Sequence, residues 1–298
     1  MRFIIKSIIN LLFFNFLILP INFTKSVNQL SFSGGGSFGA VEIGILKKIR
    51  ESEKNKMYDV YTGISVGGLN AGYLSFFLNI DEGLLNIEKL YTSLKNDNVY
   101  KILPITGNSL FNTNPLLNTL TLIINNMNND SIINTYIGTT NLNSGYLDIY
   151  NFKEIKKDEK PLLLMATSAI PVLFPPILFN NNYYVDGGIL SNELLNIKKY
   201  DSYLNITYIT THEEYLNNNI ELNSLKDVTI TIFNIVKNNF DNSLATLNQQ
   251  CITSIGEINM YFVQNKYLQD YSILNFDNGK ELLKIGYENM ETKKFKIC

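Results

Sequence analysis

Three short runs hold the residue types that acyl-transfer chemistry requires. In Tyr61-Thr62-Gly63-Ile64-Ser65-Val66-Gly67-Gly68 a serine stands between two glycines where a strand reads as turning into a helix. Glycines at those places allow a strained turn that lifts the hydroxyl clear of both elements, the Gly-x-Ser-x-Gly nucleophile elbow. Ser65 is the candidate nucleophile, with Gly63 and Gly67 shaping its turn. Upstream lies Gly34-Gly35-Gly36-Ser37-Phe38-Gly39, and downstream Asp186-Gly187-Gly188, whose carboxylate is a candidate base. Each run has a plainer reading: Gly-Ser and Asp-Gly-Gly are common turn signals.

The elements around these runs decide which reading holds. Tyr58 to Ile64 is mostly β-branched and aromatic, as a buried strand should be, and Leu69 to Leu78 is an apolar run that predicts a buried helix. Val27 to Ser33 reads as a strand entering the glycine run. Helical spacing follows in Val41, Ile45, Leu46 and Ile49. Successive backbone N–H groups between a strand and a helix make an anion site. Two anions fit it, a dinucleotide pyrophosphate or the oxyanion of an acyl-transfer intermediate. A dinucleotide site needs an acidic residue ending the second strand, whereas Asp59 begins that strand and the strand ends in the elbow. A phosphate loop of the Walker type needs Gly-Lys-Ser/Thr, which is missing. The oxyanion reading is favoured.

Further on, Ile80 to Asn98 predicts an amphipathic helix and Tyr100 to Asn114 an irregular stretch. Leu116 to Asn126 predicts a helix after Pro115, and Ile132 to Thr139 with Tyr146 to Tyr150 a strand pair. Pro161 to Ala169 reads as a buried apolar element. Tyr183-Tyr184-Val185 reads as a strand delivering Asp186, and Leu204 to Thr211 as another strand. Helices are expected over Leu225 to Asn239, Asp241 to Tyr261 and Lys280 to Asn289, with no chemistry in them.

Composition narrows the classes. The 298 residues, 45% hydrophobic and 17% charged, describe a globular chain long enough for a full α/β core. A net charge of −2 leaves no basic excess to neutralise phosphates, so no nucleic-acid partner is expected. Cys251, Cys298 and the single histidine, His212, form no metal-ligand spacing and no disulfide framework, so neither metal nor other cofactor is expected. At the N-terminus Arg2 and Lys6 precede an apolar stretch, Ile8 to Leu19, within residues 1–26. Three readings stand for it: a signal peptide, an uncleaved anchor or membrane-surface helix, and a helix packed on the domain. The first two imply a secretory or membrane-associated location and the third is compatible with the cytoplasm. Residues 27–200 are expected to form the core and 201–298 the C-terminal part of the same domain.

In their order and spacing, 29 residues from Gly36 to Ser65 and 121 from Ser65 to Asp186, the three runs resemble the patatin-like phospholipase family. Ala166-Thr167-Ser168-Ala169-Ile170-Pro171, Phe174-Pro175-Pro176, Asn192 and Ser109-Leu110-Phe111-Asn112-Thr113 add to the likeness, which covers about Val27 to Asn196. The resemblance implies a three-layer α/β/α domain with a mainly parallel central sheet. It also implies a lipid or phospholipid acyl hydrolase acting at a membrane surface through a Ser–Asp dyad. Carried over, Ser65 attacks the ester and Asp186 takes its proton, Gly187 and Gly188 completing the Asp-Gly-Gly run. The amides of Gly34, Gly35, Gly36 and Gly39, with Val66 N–H, would hold the oxyanion. Tyr183, Tyr184, Phe174 and Leu190 would supply the apolar surroundings that make an aspartate a usable base. Where the family has Arg or Lys two residues after the third glycine, this chain has Phe38, which removes a cationic contact to a headgroup phosphate.

Beside nucleotide binding at the glycine run, two rival readings remain. The chain order Ser65, Asp186, His212 also fits an α/β-hydrolase triad, although such folds place several strands before the elbow. The other rival is a lipid-binding protein whose site has lapsed. The sequence names no protein partner.

Overall fold

In the computed structural model the described residues are 26–102, 108–195, 203–211, 224–232 and 256–297. The N-terminal apolar segment, His212, both cysteines and the stretch 233–255 lie outside them. A nine-stranded mixed sheet forms the middle layer. Its five central strands are mutually parallel: β10 (Gly256–Val263), β9 (Tyr203–Ile209), β1 (Ser26–Phe32), β2 (Val60–Ile64) and β5 (Asn134–Asn141), in that order. Antiparallel strands finish both sides. β11 (Met290–Ile297) pairs with β10, while β6 (Leu147–Asn151) and β8 (Asn182–Asp186) pair with β5 and β7 (Ile177–Phe179) with β8. Helices flank this sheet, giving the three-layer α/β/α architecture. β9, β10 and β11 belong to the same sheet as β1.

Apolar periodicity explains the layers. In α1 (Gly39–Ser52) the residues Val41, Ile45, Leu46 and Ile49 are all buried, in one cluster with Leu30 and Phe32 of β1 and with α3 (Ile80–Ser93) and α7 (Gly279–Glu288). A second cluster joins α5 (Asn114–Asn125), α6 (Lys160–Thr167) and Ile137 of β5. On the other face of β9 and β10 alternate residues, Leu204, Ile206 and Tyr208 with Ile258, Met260 and Phe262, make a third. Among the described residues no helix is long and apolar enough to cross a membrane.

Several elements depart from the sequence expectations. α2 runs over Val66–Leu74, starting directly after Ser65, so of the two glycines read as shaping the turn Gly63 lies in β2 and Gly67 already lies inside the helix. The helix expected over Ile80 to Asn98 ends at Ser93, where Leu94 turns extended, and a short α4 (Asn96–Val99) follows with Lys95 N–H bonded to Asn98 Oδ1. The irregular stretch from Tyr100 contains a small antiparallel pair, β3 (Lys101–Ile102) with β4 (Phe111–Asn112). The helix expected to continue to Tyr261 is wrong at its end: Gly256–Val263 is a strand, because Ile258, Met260 and Phe262 point together into the third cluster. β11 carries no strand signal in the sequence because it is an exposed edge rich in lysine, the composition that blunts sheet edges.

Candidate active site

β1 and β2 are adjacent and parallel, so their C-terminal ends open side by side, where ligand crevices form in open α/β sheets. β1 leads into the glycine run and β2 into Ser65. Register brings the aspartate to the same place: Ile64 pairs with Gly138 of β5, and Thr139, the next residue, pairs with Asp186 of β8. Ser65 and Asp186 therefore flank one position of β5. The hydroxyl closes the gap, Ser65 Oγ donating to Asp186 Oδ2 at 2.7 Å, with both residues buried.

The turn that exposes this hydroxyl is strained. Ser65 adopts φ 56°, ψ −130°, a conformation that costs a non-glycine residue roughly 1–3 kcal/mol. Its N–H donates to Thr167 Oγ1 at 2.9 Å, and Thr167 Oγ1 donates in turn to Gly138 O at 2.6 Å, which pins the corner to β5. Both flanking glycines are needed for want of space. A Cβ on Gly63 would lie 2.2 Å from Gly67 O, and one on Gly67 would lie 2.2 Å from Ser33 O and 2.6 Å from Phe32 O. Those carbonyls belong to the backbone of α2 and of the C-terminal end of β1, so there is no flexible side chain to move aside. Gly67→Ala is thus expected to destabilise the fold by about 3 kcal/mol or more. Gly68→Ala, whose Cβ meets only side-chain atoms at 3.1 Å or beyond, should cost far less. Urea denaturation of the two variants checks this, and equal midpoints would contradict it.

Asp186 has no exposure, and this burial pushes its carboxyl up to about 7, against the lowering effect of the bonds from Ser65 and from Gly188 N–H to Oδ1. Of the four residues expected to dry it, Tyr184 and Phe174 are buried, whereas Tyr183 is 52% and Leu190 37% exposed, so these two leave the desolvation to the packed sheet. A Cβ on Gly187 would meet Gly138 O at 2.5 Å, which makes that glycine a contact of the Asp186 turn with β5.

The glycine run divides its amides between structure and open space. Gly34 N–H donates to Asn192 Oδ1 at 3.2 Å, and Gly39 N–H bonds back to Gly36 O and Ser37 O. Gly39 is also where α1 meets α2, since a Cβ there would lie 2.2 Å from Val66 Cγ2. The N–H groups of Gly35, Gly36 and Val66 bond to no acceptor among the described residues. Gly36, Ser65 and Val66 line one cavity. Gly36 has φ +58° and lies against Ile273 O, where a Cβ would come within 2.2 Å. Beneath the run, buried Glu42 accepts from Ser33 N–H (2.9 Å) and Ser33 Oγ (3.0 Å) through Oε1 and from Asn70 Nδ2 (2.9 Å) through Oε2, while Tyr91 OH donates to Asn70 Oδ1.

Sequence reasoning missed three parts of this arrangement. Thr167 stands out in the sequence only as part of a longer run, Glu42 carries no signal of its own, and residues 272–276 carry no pattern at all. Yet Ser37 N–H donates to Ile273 O, Ser37 Oγ to Ser272 O, and Leu274 and Phe276 line the cavity. Only the folded chain brings this strap over the glycine run.

A sequence model described as Patatin-like phospholipase matches residues 30–197 of this chain, more than half of it. The chain belongs to the patatin-like phospholipase family. Membership sets the general chemistry as that of a lipid acyl hydrolase acting on a lipid substrate. The chain is also similar to an uncharacterized protein, R571, of Acanthamoeba polyphaga mimivirus, 24% identical over 233 residues that cover 70% of this chain and 75% of that one. Among solved structures it is similar to VipD from Legionella pneumophila, at 13% identity and a TM-score of 0.43, covering 90% of this chain and 68% of that one. The patatin-like phospholipase match contains the glycine run, Ser65 and Asp186; the strap at 272–276 lies beyond it.

Proposed function

We propose that the chain hydrolyses carboxylic esters of membrane lipids, in the manner of a phospholipase A or lysophospholipase, with Ser65 as nucleophile and Asp186 as its base. The observation that carries this reading is the direct 2.7 Å bond from Ser65 Oγ to Asp186 Oδ2. In a triad the carboxylate reaches the serine only through an imidazole; here the two groups touch and leave no place for one between them.

Ser65 Oγ attacks the ester carbonyl while its proton passes to Asp186 Oδ2. The resulting oxyanion lies against the amides of Gly35, Gly36 and Val66, which meet no acceptor among the described residues, each such donor worth about 3 kcal/mol in the transition state. Gly34 and Gly39, whose amides are engaged elsewhere, hold the run in shape. Collapse breaks the bond to the alcohol, which leaves with the proton from Asp186, and the fatty acyl group stays on Ser65. Water then gives a proton to Asp186 and attacks the acyl-enzyme, releasing the acid and restoring Ser65. Phe38, fully buried, offers no charge to a phosphate headgroup, so the ester end of the substrate supplies most of the recognition.

Because the base must be ionised, kcat/KM is expected to rise about tenfold per pH unit below pH 7 and to level off above it. A rate already flat from pH 5 would show that Asp186 is ionised well below pH 7 in the working site, so that burial does not raise its basicity. A fluorophosphonate probe should label Ser65, and a protein left unlabelled would instead favour a lapsed, lipid-binding site.

A further inference from the structure

The cavity that starts at Ser65 follows one face of α2, touching Val66, Leu69, Asn70 and Tyr73 at positions i, i+3, i+4 and i+7. It then passes Phe76 and lies among α3, α5 and α6 with an almost wholly apolar lining. Behind it is a second, solvent-facing pocket of about 510 Å³ whose rim includes Glu82, Asn86, Asn126 and Asn128. Four side chains line both spaces: Tyr73, Phe76, Leu90 and Ile123. They are the partition between a hydrocarbon-like space that begins at the hydroxyl and a polar one that faces water.

Resting on the reading of Ser65 as nucleophile, we infer that Tyr73, Phe76, Leu90 and Ile123 form the end wall of the acyl site and restrict it to chains of medium length. From Val66 to Tyr73 the helix climbs about 10 Å at 1.5 Å per residue. With C–C bonds of about 1.5 Å at tetrahedral angles, an extended alkyl chain advances roughly 1.25 Å per carbon, so about eight carbons reach the wall at Tyr73 and the next few press against Phe76. Each methylene buried before the wall strengthens binding by up to about 4-fold. Methylenes beyond it must displace packed side chains or emerge among asparagines and a carboxylate, where that gain disappears.

The test is a series of p-nitrophenyl esters from butanoate to hexadecanoate, hydrolysed by the full-length chain. For the wild type, kcat/KM should climb to octanoate or decanoate and then stop climbing. Leu90→Ala, at a half-buried position, should raise the dodecanoate-to-butanoate ratio of kcat/KM by about 10-fold, and Ile123→Trp should lower it by about as much, each change amounting to between one and two methylenes. A ratio cancels any general loss of folded protein. Ratios unmoved in both variants, or a wild-type rate that keeps rising to hexadecanoate, would overturn the inference. If the wild type hydrolyses no ester, the nucleophile reading has failed instead. The wall is then tested by titrating saturated fatty acids directly into the Ser65→Ala chain in a calorimeter: the same break in affinity near ten carbons supports it and a smooth rise refutes it.

Discussion

Ser65→Ala and Asp186→Asn are each expected to lower lipid-ester turnover by about 10⁴-fold or more while leaving the chain folded, the scale seen when a nucleophile or its carboxylate partner is removed from a serine hydrolase. The two losses should not add, because the pair acts through one proton transfer across one hydrogen bond. Ser65→Ala removes the attacking atom and relieves nothing else, since the backbone N–H of residue 65 keeps its bond to Thr167 Oγ1. Asp186→Asn preserves shape but leaves nothing able to take the proton. His212→Ala belongs in the same experiment: with Ser65 already bonded to a carboxylate, that substitution should retain turnover, whereas a loss of about 10⁴-fold would move the assignment to a triad. Turnover of a lipid panel with folding checked by circular dichroism gives the answer, and wild-type rates in either Ser65→Ala or Asp186→Asn would remove the dyad.

The same Asp186→Asn chain is expected to be more stable than the wild type at pH 8 by as much as about 4 kcal/mol, and no more stable at pH 3. Asp186 holds its proton up to about 7 in the folded protein, against an ordinary value of 3.8. Below 3.8 both folded and unfolded chains carry that proton and the group contributes no pH dependence. Between 3.8 and 7 the folded chain binds more protons, so stability falls as pH rises; above 7 the full cost of a dry, ionised carboxylate is present. About three units at 1.36 kcal/mol each give the figure. Asparagine resembles the neutral acid and avoids the cost, at the expense of the base. Denaturant titrations of both chains at pH 8 and pH 3 measure it, and a wild type that is the more stable at pH 8 would show that Asp186 is not held in this way. Activity and stability thus oppose each other at one side chain.

The sequence by itself determined the local devices. A serine between glycines signals a tight turn, and the close packing fits it, since a Cβ on Gly63 or Gly67 would lie 2.2 Å from a backbone carbonyl. Glycines between a strand and a helix leave amides without partners, and Val41, Ile45, Leu46 and Ile49 at helical spacing bury one face of α1. Those are short-range consequences of sterics and periodicity, so spacing alone revealed them. What the tertiary structure decided is everything that rests on which strands become neighbours. The register that sets Ile64 beside Gly138 and Thr139 beside Asp186 joins two residues 121 apart. The engagement of Gly34 N–H, while Gly35 and Gly36 meet no acceptor among the described residues, follows from where Asn192 arrives. The strap at 272–276 and the strand Gly256–Val263 gain their roles only by packing on distant partners, since lone apolar residues and a short alternating run carry too little local free energy to announce themselves.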